Sequence, residues 1–124
     1  MNTATISLGS NSLDKAEILS RAMELMHEMI VSSTPAYVDH DQTYSNPYLN
    51  IVARIETDLE YDSLNKYFKD METAMGRKKG SRNDDPVALD IDIVIFNDIV
   101  MRPRDLNSSY FRMGFEMLAK AENV

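Results

Sequence analysis

The sequence predicts an α+β fold in which an antiparallel sheet carries helices on one face. Three segments alternate apolar with polar residues, which is typical of strands that turn one face to a core and the other away from it. Two further segments repeat apolar residues at helical spacing. Their order along the chain is βαββαβ, the arrangement of a ferredoxin-like sandwich. The 124 residues suffice for one such domain, expected to span residues 1–124.

The first strand and helix are predicted in the N-terminal segment. Residues 4–8 alternate apolar and hydroxyl side chains, as a half-buried strand does. Apolar spacing then predicts a helix from Leu13 to about His27. Asn11 or Ser12 is expected to cap this helix, and Asp14 falls in its first turn, where a negative charge is favourable.

Two strands and a second helix follow. Residues 29–38 predict a strand that Pro35 interrupts, and residues 48–57 predict a clear strand. The inward residues of that strand are expected to be Leu49, Ile51, Ala53 and Ile55, and the outward ones Asn50, Arg54 and Glu56. Apolar spacing predicts a helix from Tyr61 to Met75, ended by Gly76.

The C-terminal third begins with a charged loop over residues 77–86. A strand is predicted from Leu89 to Phe96, with the turn residues Asn97 and Asp98 after it. A short strand over residues 99–101 and a helix from Tyr110 to Ala121 complete the predicted elements.

Two aspartates on the last long strand are the first candidates for a functional site. Leu89, Ile91, Ile93 and Ile95 are expected to share one face, so Asp90 and Asp92 share the other, about 7 Å apart. Paired carboxylates in a partly dry site repel each other, and a divalent cation removes that cost. Mg²⁺ suits the pair, because it takes one or two protein carboxylates together with phosphate oxygens and water. The alternative is a solvated strand face on which both aspartates are harmless.

Composition narrows the function classes. The formal net charge of −7 disfavours a general nucleic-acid binder, which needs a basic surface. The absence of cysteine excludes disulfides and thiolate sites. Neither a signal peptide nor an apolar run long enough to span a membrane is visible, so we expect a cytoplasmic protein without a membrane partner.

Three other groups are open to two interpretations. The basic run of residues 77–82 is either a phosphate-binding loop, with Arg77, Lys79 and Arg82 among its cations, or a solvated loop. Asn11, after Gly9 and Ser10, offers a donor and an acceptor to a ligand, or belongs only to a turn. The group Tyr44, Tyr48 and Asn50 could hold a flat heterocycle, or could be core aromatics beside a strand-edge amide.

Taken together, these motifs resemble the 6-hydroxymethyl-7,8-dihydropterin pyrophosphokinase family, over nearly the whole chain. The matching elements, in order, are Leu8-Gly9-Ser10-Asn11, Tyr48-Leu49-Asn50, Glu72 with Gly76-Arg77, and Pro86 followed by Leu89-Asp90-Ile91-Asp92-Ile93. The family has a ferredoxin-like fold. The resemblance implies that ATP transfers its terminal pyrophosphate to the hydroxymethyl group of a pterin in folate biosynthesis, with release of AMP.

The resemblance also implies residue roles. Asp90 and Asp92 match the pair that binds two Mg²⁺ ions between the ATP phosphates and the substrate. Glu72 and Arg77 match positions at the nucleotide site, and Arg77 is also expected to act in catalysis. The residues expected beside the pterin are Asn50, Tyr48 and Phe115, the last as a stacking ring.

Several positions depart from the family pattern. Val87 stands where the family has an arginine, Asp84-Asp85 replace a Trp-Gly pair, and the Pro-His pair after the aspartate strand is absent. Losing cations that contact phosphates should reduce transition-state stabilisation more than folding. The alternative to an active enzyme is therefore a catalytically degenerate paralogue that acts as a nucleotide- or pterin-binding or interaction protein.

Overall fold

The computed structural model describes residues 1–40, 46–76 and 86–123. Its strands are β1 (Asn2–Ser10), β2 (Ile30–Ser33), β3 (Leu49–Thr57), β4 (Asp90–Phe96) and β5 (Ile99–Val100). Its helices are α1 (Lys15–Leu25), α2 (Tyr61–Ala74), α3 (Pro103–Leu106) and α4 (Ser109–Glu122), with a 3₁₀ turn at His27–Met29. Among these residues no helix is long and apolar enough to cross a membrane.

The sheet has the order β2-β3-β1-β4-β5, and every neighbouring pair is antiparallel. The first four strands, with α1 after β1 and α2 after β3, reproduce the predicted βαββαβ order. This confirms the α+β, ferredoxin-like prediction. The strand that begins the chain lies at the centre of the sheet, so residues distant in sequence meet across it.

The main core lies between the sheet and the first two helices. Alternate residues of β1, β3 and β4 enter it, because successive side chains of a strand point to opposite faces. Its fully buried members include Ile6, Ile55 and Ile91 from the sheet and Leu19 and Phe68 from the helices. Burying such side chains stabilises the fold by about 1.5–3 kcal/mol each relative to exposure.

The second face of the sheet carries a smaller core beneath α4. Val52, which lies between Ile51 and Ala53 of the main core in β3, packs there with Val94, Phe111 and Leu118. Gly114 lets α4 approach closely, since a Cβ atom added there would lie 2.5 Å from Val52 Cγ2 and 2.2 Å from the Tyr37 hydroxyl. α4 therefore covers part of the face that was expected to point away from the core.

A bulge in β4 corrects the predicted facing of its C-terminal end. Ile6 pairs with Ile93 but Thr5 pairs with Ile95, which leaves Val94 as the extra residue. Phe96 consequently enters the main core, whereas Ile95 packs against the cluster beneath α4. The prediction that Ile95 shares a face with Ile93 is wrong, because one inserted residue reverses the alternation.

Three predicted boundaries also change. The second strand ends at Ser33 rather than near residue 38, although Tyr37 forms a later isolated bridge to Asn50. No side chain caps α1, because Asp14 occupies the capping position and receives a hydrogen bond from Ser12 instead. Leu13 precedes that helix and is fully exposed, so it does not belong to the apolar stripe.

The predicted turns are confirmed. Asn97 and Asp98 have φ values of 49° and 67°, as the two central residues of a tight hairpin turn require, and they join β4 to β5. Gly76 has φ of 105° just after α2, in the backbone region that glycine adopts most readily. Each position marks the end of an element, β4 at Asn97 and α2 at Gly76.

Candidate active site

Asp90 and Asp92 lie on one side of β4, as predicted. Their pairing with β1 is regular, Gly9 opposite Asp90 and Ser7 opposite Asp92, and the bulge comes only further along the strand. The two carboxyl groups are close enough for a side-chain hydrogen bond. The sheet therefore holds two acidic groups together near the N-terminal end of β4.

Two cations from different elements flank the same oxygen of Asp92. Lys69 Nζ of α2 lies 3.6 Å from Asp92 Oδ1, and Arg102 Nε lies 3.8 Å from it. Asp92 is only 8% exposed, so its charge is largely removed from water. Neither cation was among the residues expected at this site.

The pKa of Asp92 is raised to about 7, mainly by burial and also by the repulsion and hydrogen bond of Asp90. Lys69 and Arg102 act in the opposite direction. Their effect is limited because each is shared with a nearer carboxylate, Glu72 for Lys69 and Asp105 for Arg102. A group that resists ionisation in this way gains from an additional cation.

Glu72 is the buried acid that organises the α2 side of the site. It is 4% exposed, and its Oε2 accepts hydrogen bonds from Lys69 Nζ at 2.8 Å and from the Ile91 N–H at 2.7 Å. Lys69 also donates to the Ile91 carbonyl at 2.9 Å. Glu72 is therefore a buried, ion-paired residue of α2. The i,i+3 spacing of Lys69 and Glu72 on a helix was the available sequence signal.

Gly9 separates the predicted pterin side from the predicted metal side. It pairs with Asn50 on β3 and with Asp90 on β4, so these three residues form one row across the sheet. A Cβ atom added at Gly9 would lie 3.3 Å from both Asn50 Oδ1 and Tyr48 Cδ1. Three adjacent strands place the backbones of Asn50 and Asp90 about 10 Å apart. Gly9 adds no side chain between them, and the Asn50 amide and the Tyr48 ring lie close to it.

Asn50 is also fixed by backbone contacts. Its N–H donates to the Tyr37 carbonyl at 2.8 Å, and its carbonyl accepts the Tyr37 N–H at 2.9 Å. The side chain is 4% exposed and donates to the Tyr48 carbonyl at 3.4 Å. This last contact is long, so the amide can exchange it for a better partner at little cost.

Asn11 joins three loops at the same end of the sheet. Its Oδ1 accepts the Val87 N–H at 2.6 Å, and its N–H donates to the Val87 carbonyl at 3.1 Å. Asn46 Nδ2 donates to the Asn11 carbonyl at 2.6 Å. These bonds hold the segments before β3 and before β4 beside the turn after β1.

Phe115 lies on the second face of the sheet, away from Asn50 and Asp90. It stacks on Phe111, with ring centroids 5.5 Å apart, and lines a cleft of about 270 Å³ with Thr5, Arg54 and Ile95. Arg54 is four residues from Asn50 along β3, or about 13 Å. The structure thus groups Asp90, Asp92, Glu72, Asn50 and Tyr48 near one end of the sheet and places Phe115 towards the other.

Several expected site residues lie outside the described part of the chain. They are Tyr44 and the basic run that includes Arg77, Lys78, Lys79 and Arg82. The roles expected for them remain predictions.

The donor set at the end of β4 fits a magnesium ion that also binds phosphate. Within residues 1–40, 46–76 and 86–123, no group of three or more metal-ligating side chains forms a closed cage. Two carboxylates, one of them buried and costly to ionise, suit Mg²⁺ that completes its shell with phosphate oxygens and water.

The fold and this site define a ferredoxin-like α+β domain in which a pair of aspartates lies on the strand beside Gly9. The family described as 7,8-dihydro-6-hydroxymethylpterin-pyrophosphokinase (HPPK) matches residues 5–119, and the chain belongs to that family. It is similar to the folic acid synthesis protein FOL1 of Dictyostelium discoideum, at 30% identity over 85% of this chain. It is also similar to the folic acid synthesis protein fol1 of Schizosaccharomyces pombe, at 31% identity over 78% of this chain. The matches span only 16% and 14% of those two proteins.

Proposed function

We propose that the chain catalyses ATP-dependent transfer of pyrophosphate to 6-hydroxymethyl-7,8-dihydropterin in folate biosynthesis, releasing AMP. Family membership over residues 5–119 supports this activity, and the two similar proteins are named for folic acid synthesis. The cysteine-free sequence fits a cytoplasmic enzyme.

The row Asn50–Gly9–Asp90 is the observation that carries the proposal. A flat ring hydrogen-bonded to the Asn50 amide, with Tyr48 beside it, would direct a substituent towards the aspartates. Holding two reactants in such a geometry contributes several kcal/mol to lowering a barrier, on the order of 7–11 kcal/mol in the best model systems.

Asp90 and Asp92 would hold two Mg²⁺ ions, which supply charge stabilisation for the transferred phosphates. The carboxylates fix their position, and burial of Asp92 strengthens every charge interaction there. Glu72 keeps the peptide between them in place through the Ile91 N–H. Arg77, Lys79 and Arg82 are expected to add cations from the basic run.

Titration calorimetry with a non-hydrolysable ATP analogue tests the nucleotide part of this proposal. We expect Mg²⁺-dependent binding that Asp92→Ala weakens by at least tenfold, since the metal loses one of two carboxylates. Asp70→Ala is the matched control, because this exposed carboxylate contacts only Lys66 among the described residues. No heat signal from the unmodified chain, with or without Mg²⁺, would contradict the proposal.

A catalytically degenerate paralogue is the second candidate. Val87 replaces an expected arginine, and its backbone is committed to Asn11. Release of AMP from ATP and hydroxymethyldihydropterin distinguishes the two functions. Turnover that disappears in Asp92→Ala supports the enzyme, whereas nucleotide binding without AMP supports the paralogue.

A further inference from the structure

The two cations beside Asp92 Oδ1 differ in what else they bind. Lys69 Nζ donates to Glu72 Oε2 and to the Ile91 carbonyl, at 2.8 and 2.9 Å. An ammonium has three donors; these bonds use two of them, and Asp92 Oδ1 lies 3.6 Å from the same nitrogen. Lys69 is therefore bound mainly to protein acceptors.

Arg102 keeps unused donors. Its Nε donates to Asp105 and lies near Asp92, but its two terminal nitrogens bond to none of the residues in the described ranges. The side chain is 48% exposed. A guanidinium carries five N–H donors in a planar fork, so the four on the terminal nitrogens have no partner among the described residues.

The backbone at Arg102 is fixed relative to the acidic pair. The N–H groups of Met101 and Arg102 both donate to the Val94 carbonyl, at 2.8 and 3.3 Å. Val94 lies two residues beyond Asp92 on the same strand, and Pro103 begins α3 directly afterwards. Arg102 is thus a preorganised side chain, tied to β4 at its main chain and to Asp105 at its Nε.

A fixed cation beside a metal-binding carboxylate opposes the metal unless an anion arrives with it. Arginine matches phosphate oxygens with two parallel hydrogen bonds and stays charged at any working pH. A metal–polyphosphate complex would satisfy Arg102 and the aspartates together, whereas a bare cation would satisfy only the aspartates.

We infer that Arg102 is a nucleotide-contacting residue whose terminal nitrogens bind the polyphosphate held at Asp90 and Asp92, and that Asp105 positions it. This inference rests on the proposed function. It makes the site selective for a metal that arrives with polyphosphate, and it supplies from the β5–α3 connection a cation that Val87 cannot provide.

The test compares Arg102→Ala and Arg102→Lys with the unmodified chain, and Arg104→Ala is the matched control because this exposed arginine has no bond to a described residue. Titration calorimetry measures the affinity of each variant for Mg²⁺ alone, for a non-hydrolysable ATP analogue with Mg²⁺, and for AMP. We expect Arg102→Ala to weaken binding of the triphosphate analogue by about tenfold, which is the scale of one charge-assisted hydrogen bond. The affinity of this variant for AMP should stay within about twofold of that of the unmodified chain. Its affinity for Mg²⁺ alone should rise, since like-charge repulsion is removed.

The affinity for Mg²⁺ alone should rise while the affinity for the triphosphate analogue falls. A purely structural role of Arg102 would not change the two affinities in opposite directions. Arg102→Lys should restore part of the triphosphate affinity, and Asp105→Asn should weaken it less than Arg102→Ala does. Unchanged triphosphate binding in Arg102→Ala, or equal weakening of Mg²⁺ and triphosphate, overturns the inference while the proposed function stands. Absence of nucleotide binding by the unmodified chain overturns both.

Discussion

The carboxylate of Glu72 accepts the Ile91 N–H at 2.7 Å and so ties α2 to the peptide between the two aspartates. At this edge of β4, the Ile91 N–H would otherwise need an acceptor on a neighbouring strand. A helix side chain supplies that acceptor instead. The same carboxylate holds Lys69, which lies beside Asp92. The geometry of the acidic pair therefore depends on a residue that carries no metal-binding role itself.

Replacing Glu72 should destabilise the fold as well as the site. Glu72→Ala leaves the Ile91 N–H without this acceptor and Lys69 without its nearest partner, so we expect a loss of about 2–4 kcal/mol in the free energy of unfolding. Glu72→Gln keeps an acceptor oxygen and should lose about half as much. Urea denaturation measures both, with Asp70→Ala as the exposed control. Equal stability of the Ala and Gln variants would contradict the role of the acceptor.

Asp92 should lower stability at neutral and alkaline pH. Its pKa of about 7 in the folded chain lies above the ordinary value of an unfolded aspartate, so the folded state binds the extra proton between about pH 4 and 7. Its contribution to the free energy of unfolding therefore falls as pH rises through this window and stays low above it. We expect Asp92→Asn to be more stable than the unmodified chain at pH 8, by about 1–3 kcal/mol, and to lose this advantage near pH 4. Denaturation at pH 4, 6 and 8 checks the trend, and a constant difference would contradict it.

Metal affinity should depend on the same proton. Mg²⁺ binds the ionised carboxylate, and an Asp92 with a pKa of about 7 is mostly protonated at pH 6. We expect affinity for Mg²⁺ alone to fall about tenfold between pH 8 and pH 6, where an ordinary carboxyl group would cause almost no change. Omitting nucleotide keeps the titration of its phosphates out of the measurement. Affinity that is flat across this interval would show that Asp92 is already ionised at pH 6.

Gly114 should tolerate no side chain. The Cβ atom of Gly114→Ala would lie 2.2 Å from the Tyr37 hydroxyl and 2.5 Å from Val52 Cγ2, well inside contact distance. Because α4 packs directly on β3 here, relief requires the helix to move, and we expect a loss of about 1–3 kcal/mol, the range for overpacked cores. Thermal unfolding measures the loss, and Glu116→Ala, exposed on the same helix, should stay close to the unmodified chain. A neutral Gly114→Ala would mean that α4 sits further from the sheet.

Much of this fold was predictable because the periodicity of its strands and helices is visible in short stretches of the sequence. The alternation in β1 and β3, the helical spacing in α2 and the turn at Asn97 and Asp98 all appear in the sequence and in the structure. The shared side of Asp90 and Asp92 followed from the same two-residue period, since no bulge falls between them. Where a bulge does fall, at Val94, the local pattern assigned Ile95 to the wrong face.

The surroundings of the acidic pair were not predictable in this way. The spacings of Lys69 with Glu72 and of Arg102 with Asp105 are visible as i,i+3 pairs, but nothing local shows that both cations meet one oxygen of Asp92. That meeting requires α2 and the β5–α3 connection to pack on β4 from two sides.

The sequence by itself determined the alternation along β1, β3 and the first half of β4, the helices α1, α2 and α4, and the shared side of two carboxylates on β4. Only the tertiary structure decided that Gly9 lies between Asn50 and Asp90, and that Asp92 is buried between Lys69 and Arg102. The reason is physical: backbone geometry fixes periodicity over a few residues, whereas strand register, burial and charge pairing depend on long-range packing.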